Sequence, residues 1–464
     1  MRGCLIVYDN ESYIHWFPQG VAYLAAVLKE IGVEVCIYSQ DLHHYSEAHL
    51  TAYLDDNHFD FVGLSFIGGY YQYRKALMIS EAINRSKHRP FYIIGGHGPS
   101  PEPDFFLRKT QADAVVIGEG EETIVELLDV IAHKSKPLIE VKGIAYHDEH
   151  GKFIETGRRE LIADIDSIPL PAYSLFPVEY YRLLRMPHCS STDFVMPVLS
   201  GRGCTFKCNF CYRMDKGFRA RSSAAIVEEI RLLKRDYGIT YIAFSDELLM
   251  SSIARTEELC EAFISANLNV KWDCNGRLNY AKESLLRLMK KAGCVFINYG
   301  IEAMDDEVLK KMRKGLTTKQ IIAGIEATLK VGISPGFNII FGHIGDNADT
   351  LRKGVDFLLK YDDGAQMRTI RPVTPYPGSP LYYQAIEDGL LGGPEDFYDN
   401  KHLNSDLLSV NFTDLTDEAY YDELASANKA LLGNYIQKSG LSMLSKVDDL
   451  YAHRDASFRG FRQS

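Results

Sequence analysis

The residues with the most chemistry to offer stand in one short stretch, GRGCTFKCNFCY, from Gly201 to Tyr212. Cys204, Cys208 and Cys211 are separated by three and then two residues, so one loop brings three thiolates onto a single inorganic core. Thiolates are the ligands of iron–sulfur clusters, and full ligation of a four-iron cluster takes four of them. Three cysteines with no obvious fourth leave one iron open to chelate a small molecule. A structural zinc knuckle is the competing reading, but zinc sites usually close with four ligands, often as paired C-x2-C units, and no second pair occurs. The six other cysteines (Cys4, Cys36, Cys189, Cys260, Cys274, Cys294) are scattered singly, the pattern of small buried hydrophobes in a reducing compartment.

The elements that must position this loop are bounded first by size. At 464 residues the chain exceeds what one core supports, which predicts two to three domains. The net charge is -11, and no Lys/Arg run is long enough to track a phosphate backbone, which argues against a nucleic-acid polymer as substrate. The apolar run in MRGCLIVYDNE is too short for a secretory signal, and no stretch of about 18 apolar residues is present to span a bilayer. A cytoplasmic protein with no membrane partner is expected.

Residues 1–140 alternate strand-like runs (CLIVYD, VEVCIYS, FDFVGLSF, FYIIGG, DAVVIGEG) with helical ones such as GVAYLAAVLKEIG. Such alternation predicts a doubly wound parallel sheet with helices on both faces, in which ligands sit outside the carboxyl ends of the strands. Glycines and small polar residues gather at three of those ends: Gly63 to Ser65, Gly95-Gly96-His97-Gly98, and Gly118-Glu119-Gly120-Glu121. None fits the G-x-G-x-x-G dinucleotide fingerprint. Residues 141–195 read as a connector, with His150-Gly151 turning a hairpin and prolines 169, 171 and 177 excluding continuous helix. From about 196 to 385, FVMPVLS and five further strand-and-helix pairs give six β units, too few for a closed eightfold barrel. Residues 386–464 turn helical and polar, and the terminal DASFRGFRQS reads as poorly ordered.

The cysteine spacing, with Phe210 just before the last cysteine, resembles that of the radical S-adenosylmethionine (SAM) superfamily. FPQGVAYLAAVLKEIG and VIGEGEETIVELL resemble the cobalamin-binding domain that precedes many of its barrels, in enzymes similar to the class B radical SAM methyltransferases. The resemblance implies a Rossmann-like cobalamin-binding domain, an open six-unit β/α barrel and a helical C-terminal region. It implies a 4Fe-4S cluster held by Cys204, Cys208 and Cys211, with Phe210 and Tyr212 beside it. Ser245, Asp246 and Glu247 stand where the family holds the SAM amino group, Arg277 where it would pair the SAM carboxylate, and Glu302 where it would accept from ribose or ammonium. Gly63, Ser65, Gly95, Gly96, Gly118, Glu119 and Gly120 would line the cobalamin cleft.

The methionine-synthase type of cobalamin domain carries D-x-H-x-x-G after its first strand; the nearest match here, Asp41 to Ser46 (DLHHYS), lacks the glycine and follows the second strand, so no histidine is expected on cobalt. Lys314 is expected to be solvated. His343 and Asp346 are either specific to this enzyme's reaction or plain loop residues, and Arg368, Arg371, Tyr376, Asn404, Ser405 and Asp406 are expected near the substrate entrance. By resemblance the chain cleaves SAM to a 5'-deoxyadenosyl radical and methylates an unactivated carbon of a small molecule, with electrons from a flavodoxin or ferredoxin. A radical dehydratase, cyclase or rearrangement enzyme, and a non-catalytic cobalamin or iron–sulfur sensor, are the alternatives.

Overall fold

The computed structural model describes residues 1–11, 16–215 and 217–454; DASFRGFRQS lies outside the described residues. The first seven strands are β1 (Arg2–Val7), β2 (Glu34–Ser39), β3 (Phe61–Ser65), β4 (Phe91–Gly95), β5 (Ala114–Val116), β6 (Ile144–His147) and β7 (Phe153–Glu155). They form one sheet in the order β2-β1-β3-β4-β5-β6-β7. Strands β1 to β5 are parallel, and β6 and β7 add antiparallel. Alternation along β1 serves both faces: Leu5 and Val7 pack with the helices Gln19–Glu30 and Glu121–His133, while Cys4 and Ile6 pack with Glu47–Asn57 and Tyr70–Arg85. The hairpin expected at His150-Gly151 is present, with Gly151 at φ +74°, but it continues this sheet past residue 140, where the sequence reading ended the first domain.

The connector carries short turns between its prolines, at Ile165–Ser167, Tyr173–Leu175 and Val178–Tyr181. Its aromatic residues pack on the first unit: the Phe17 ring lies 5.3–5.5 Å from those of Tyr173, Phe176 and Tyr181. Tyr173 also donates to Glu229 Oε1 at 2.5 Å, and Glu229 pairs with Arg221, so the connector is joined to the barrel by a buried polar chain. One hydrophobic core therefore runs from the first sheet into the second.

The second unit begins with β8 (Val195–Val198), then an antiparallel hairpin of β9 (Gly201–Cys204) and β10 (Gly217–Ala220). It continues with β11 (Tyr241–Phe244), β12 (Lys271–Gly276), β13 (Cys294–Glu302), β14 (Ser334–Phe341) and β15 (Arg371–Pro372). Apart from the hairpin these make a six-stranded parallel sheet, β8-β11-β12-β13-β14-β15, whose end strands do not meet. This is the open six-unit barrel expected from the sequence.

Arg368 is not near the substrate entrance. It is buried at the opposite end, donating to Pro335 O at the start of β14, paired with Asp362 and stacked 4.5 Å over Phe337. The chain closes with the helix Pro380–Glu387, a π-helical turn Asp396–Lys401 and a 37-residue helix, Asp417–His453. That helix is tied to the barrel by Asn428, which bonds both the N–H and the carbonyl of Ile370, and by Tyr420 on Phe341 O.

Candidate active site

The cysteine loop is the tip of the β9–β10 hairpin, and its glycines are steric requirements. A Cβ on Gly201 would meet the Phe218 ring and Arg219 O, and Gly203, at φ +83°, lies against Gly217 O. Cys204 ends β9, while Cys208 and Cys211 follow in the loop. Asn209, between them, holds the loop to three other elements. Its N–H donates to Met312 O at 3.1 Å, its amide donates to Lys311 O at 3.2 Å and contacts His343 Nε2 at 2.9 Å, and its carbonyl accepts from Leu381 N at 2.8 Å. His343 and Asp346 thus have loop roles: His343 supports Asn209, burial lowering its pKa to about 4, and Asp346 accepts from Gly342 N, His343 N and Thr350 Oγ1.

All three cysteines border one cavity of about 320 Å³, with Arg277, Glu247 and Glu302 on its other walls. A hydrogen bond from Cys211, helped by Lys314 and Arg277, lowers the Cys208 thiol to about 6 and raises that of Cys211. Arg277 stacks 3.4 Å over the Phe206 ring and donates to Asn279 Oδ1, while its buried Nη2 has no partner among the described residues. An orphaned guanidinium nitrogen on the wall fits an anionic ligand group such as the SAM carboxylate. Burial raises the Glu247 carboxyl.

Lys314 departs from expectation: it is buried and pairs with Glu302 at 2.7 Å. Glu302 has φ +69°, rare for a non-glycine residue, at an irregularity in the β13–β14 register. Gly300 leaves room for this pair, because a Cβ there would meet both partners. The floor is a ladder of amides that the sequence analysis did not single out: Asn338 donates to Asn298 at 2.9 Å, Asn298 to Asn275 at 3.1 Å, and Asn275 to Asp246 O at 2.8 Å. Asparagine is depleted in strands, so its recurrence inside β12, β13 and β14 was the available signal.

Asp246 itself does not border this cavity. Its buried carboxylate accepts from Ser200 N, Ser200 Oγ and Gly201 N, which holds the start of the hairpin. Ser245 points to the first unit instead, donating to Gln19 Oε1 at 2.7 Å.

A second cavity, also about 320 Å³, opens at the carboxyl ends of the first sheet and includes Gly63, Ser65, Gly95, Gly96, Gly118 and Gly120. The glycines serve different ends. Gly96, at φ +98°, would place a Cβ 2.7 Å from Phe66 O, whereas a Cβ on Gly118, at φ +83°, or on Gly20 would have nothing within 4 Å among the described residues. A side chain at either would project into the cleft, so these two form a cradle for a bulky ligand such as cobalamin.

Glu119 lines this cleft, but its carboxylate is committed to the protein. One oxygen accepts from Arg202 at 2.7 Å, the other from Arg219 at 2.9 Å and Ile162 N at 2.9 Å. Glu121 takes the second arm of Arg202 at 2.5 Å. Although burial opposes it, Arg219 and Arg202 hold the Glu119 carboxyl below its usual range. Arg202 and Arg219 lie opposite each other on the cysteine hairpin, so this network clamps the hairpin to the first sheet. His44 pairs with Asp9 at 2.6 Å, and neither His43 nor His44 borders the cleft.

A third cavity of about 450 Å³ lies between the two units and the C-terminal segment. Phe210, Tyr212, Tyr376 and Tyr398 line it, with Arg371 and Ser405. The three cavities share walls: Glu247 separates the first two, Cys211, Tyr212 and Glu302 separate the cysteine cavity from the third, and His97 faces both the glycine cleft and the third. The His97 and Tyr212 rings meet edge to face at 6.1 Å.

A doubly wound domain with a glycine-cradled cleft, set against an open barrel with a three-cysteine hairpin, defines an enzyme architecture built for two cofactors. Family models match accordingly, the B12 binding domain over residues 7–128 and the Radical SAM superfamily over residues 198–358. The chain is 30% identical over 381 residues to an uncharacterized methyltransferase of Pyrococcus horikoshii, which covers 81% of this chain and 79% of that one. It therefore belongs to the radical SAM superfamily, among the members that carry a B12 binding domain. It is 27% identical to the anaerobic magnesium-protoporphyrin IX monomethyl ester cyclase of Rubrivivax gelatinosus, over 84% of this chain and 69% of that one. The structure of the radical SAM methyltransferase TsrM from Kitasatospora setae, with cobalamin and a 4Fe-4S cluster bound, superposes with a TM-score of 0.71 over 93% of this chain and 88% of that one, at 17% identity.

Proposed function

We propose that the chain is a cobalamin-dependent radical SAM methyltransferase that adds a methyl group to an unactivated carbon of a small molecule. The observation that carries this reading is the sharing of walls among the three cavities, which sets the cysteine loop and the glycine cleft against one common third space. Cys204, Cys208 and Cys211 would hold the cluster, Arg277 and Glu247 the SAM carboxylate and ammonium, and the cleft at Gly20 and Gly118 the cobalamin. When bound, the cluster supplies the electron that cleaves SAM, and cobalamin carries the methyl group. The protein's own share is orientation and exclusion of water: the Asn209 contacts fix the cysteine loop, and the Glu302–Lys314 pair fixes the wall between SAM and substrate.

A flavodoxin- or ferredoxin-type donor in the cytoplasm would supply the electron. Among the described residues no helix is long and apolar enough to cross a membrane. The relationship to a cyclase favours one second reading, a radical cyclisation or rearrangement in the same chamber. Product analysis with labelled SAM decides. Methylation requires S-adenosylhomocysteine and 5'-deoxyadenosine in equal amounts with methylated product. Deoxyadenosine without homocysteine would select the second reading, and no SAM cleavage by reconstituted, reduced protein would leave a sensor.

A further inference from the structure

We propose that the third cavity takes a flat, largely apolar ring compound bearing one anionic group, and that Arg371 reads that group. This rests on the reading of the cavity as the substrate chamber. Phe210, Tyr212, Tyr376 and Tyr398 border it, and three of these rings are held in place by their neighbours. Tyr376 sits against His402 and Phe397 at 5.2 and 6.0 Å, and Tyr398 stacks on Phe105 at 5.5 Å with 11° between planes. Tyr212 is confined by Gly378, where a Cβ would collide with its ring. Fixed aromatic walls favour a planar ligand, which can stack on them or meet their edges.

Of the cations near this space, Lys314 is spent on the buried Glu302. Arg371 is held at the rim by Asp406, Nε to Oδ1 at 2.8 Å, with both side chains about 60% exposed (60% and 62%). An exposed pair of this kind contributes little to stability, so Asp406 occupies the place of a carboxylate without holding it firmly. Asn404 accepts from Asp406 N at 2.9 Å and so shapes the turn that presents Asp406, while Ser405 bonds Tyr376. A ligand carboxylate or phosphate would exchange with Asp406 and use the guanidinium's two-pronged face.

The test is calorimetric titration of the anaerobic holoprotein, both cofactors loaded, with naphthalene-2-carboxylate, 2-naphthyl phosphate and the neutral naphthalene-2-methanol. At least one anion should bind ten times or more tighter than the alcohol, and which one does so identifies the acid group. Arg371→Gln should abolish that preference. Asp406→Asn should tighten the anion several-fold and leave the alcohol unchanged, a gain that a misfolded variant cannot show. Equal binding of anions and alcohol, a preference that survives Arg371→Gln, or no binding of any of the three would overturn the proposal. The product assay on unaltered protein tests the function separately. Failure there with the anion bound would sink the methyltransferase reading alone, and SAM cleavage without anion binding would sink the substrate class alone.

Discussion

His402 shows how single residues in this protein combine burial with unsatisfied chemistry. It is 1% exposed, stacks on Phe397 at 5.0 Å, and neither ring nitrogen has a partner among the described residues. Burial lowers its pKa to about 4. Between pH 6.5 and 4 the unfolded chain takes up a proton that the folded one refuses, so stability is lost as pH falls through that window and levels off below it. The full cost is on the order of 3 kcal/mol. His402→Phe keeps an aromatic ring, somewhat larger, and removes the orphaned nitrogens, so at pH 7 it should raise stability by about 1 kcal/mol. Thermal melts from pH 7 to 4 should also fall less steeply for the variant; a variant no more stable at pH 7, with the same slope, would contradict this account. At this scale the sequence was legible where chemistry is encoded in spacing, as with Cys204, Cys208 and Cys211. It was not legible where a polar group's partner comes from far away, as Asp246, Glu119 and Lys314 show.

At the scale of elements, the hairpin β9–β10 is the joint of the molecule. It carries the cysteine loop at its tip and two arginines on its stem, and Glu119, Glu121 and Asp215 surround those arginines. Breaking such a buried network from one side leaves uncompensated charge, at a cost of roughly 3–5 kcal/mol. Arg202→Met leaves three carboxylates around one arginine, whereas Glu119→Gln leaves two against two. The arginine variant should therefore melt at the lower temperature. It should also make less methylated product per deoxyadenosine, because the hairpin is no longer registered against the cleft. If both variants melt and couple like the unaltered protein, the clamp has no positioning role. Gln19, which bonds Ser245 and reaches Pro197 O, makes the corresponding contact from the first helix.

At the scale of the whole molecule, the last helix divides in function. Up to Lys438 it holds the barrel: Asn428 brackets Ile370, and Asn434 and Lys438 reach Asp362. Beyond that point several of its large apolar residues are exposed, among them Leu441 at 60% and Leu444 at 62%. A chain ending after Gly440 should keep its melting temperature, while one ending after Leu424 should lose several degrees; equal melting of the two would show that the helix is dispensable throughout. The sequence by itself determined the order of units, the two strand patterns and the cysteine loop, because periodicity, glycine placement and ligand spacing are local properties of the chain. Tertiary structure alone decided which acid faces a ligand and which faces an arginine. Glu119 and Glu247 look alike in sequence, both at strand ends beside small or polar neighbours. The difference is that the cysteine hairpin, some 80 residues or more away from Glu119, lays Arg202 and Arg219 against it, while among the described residues no cation is bonded to Glu247, which lines the cavity wall.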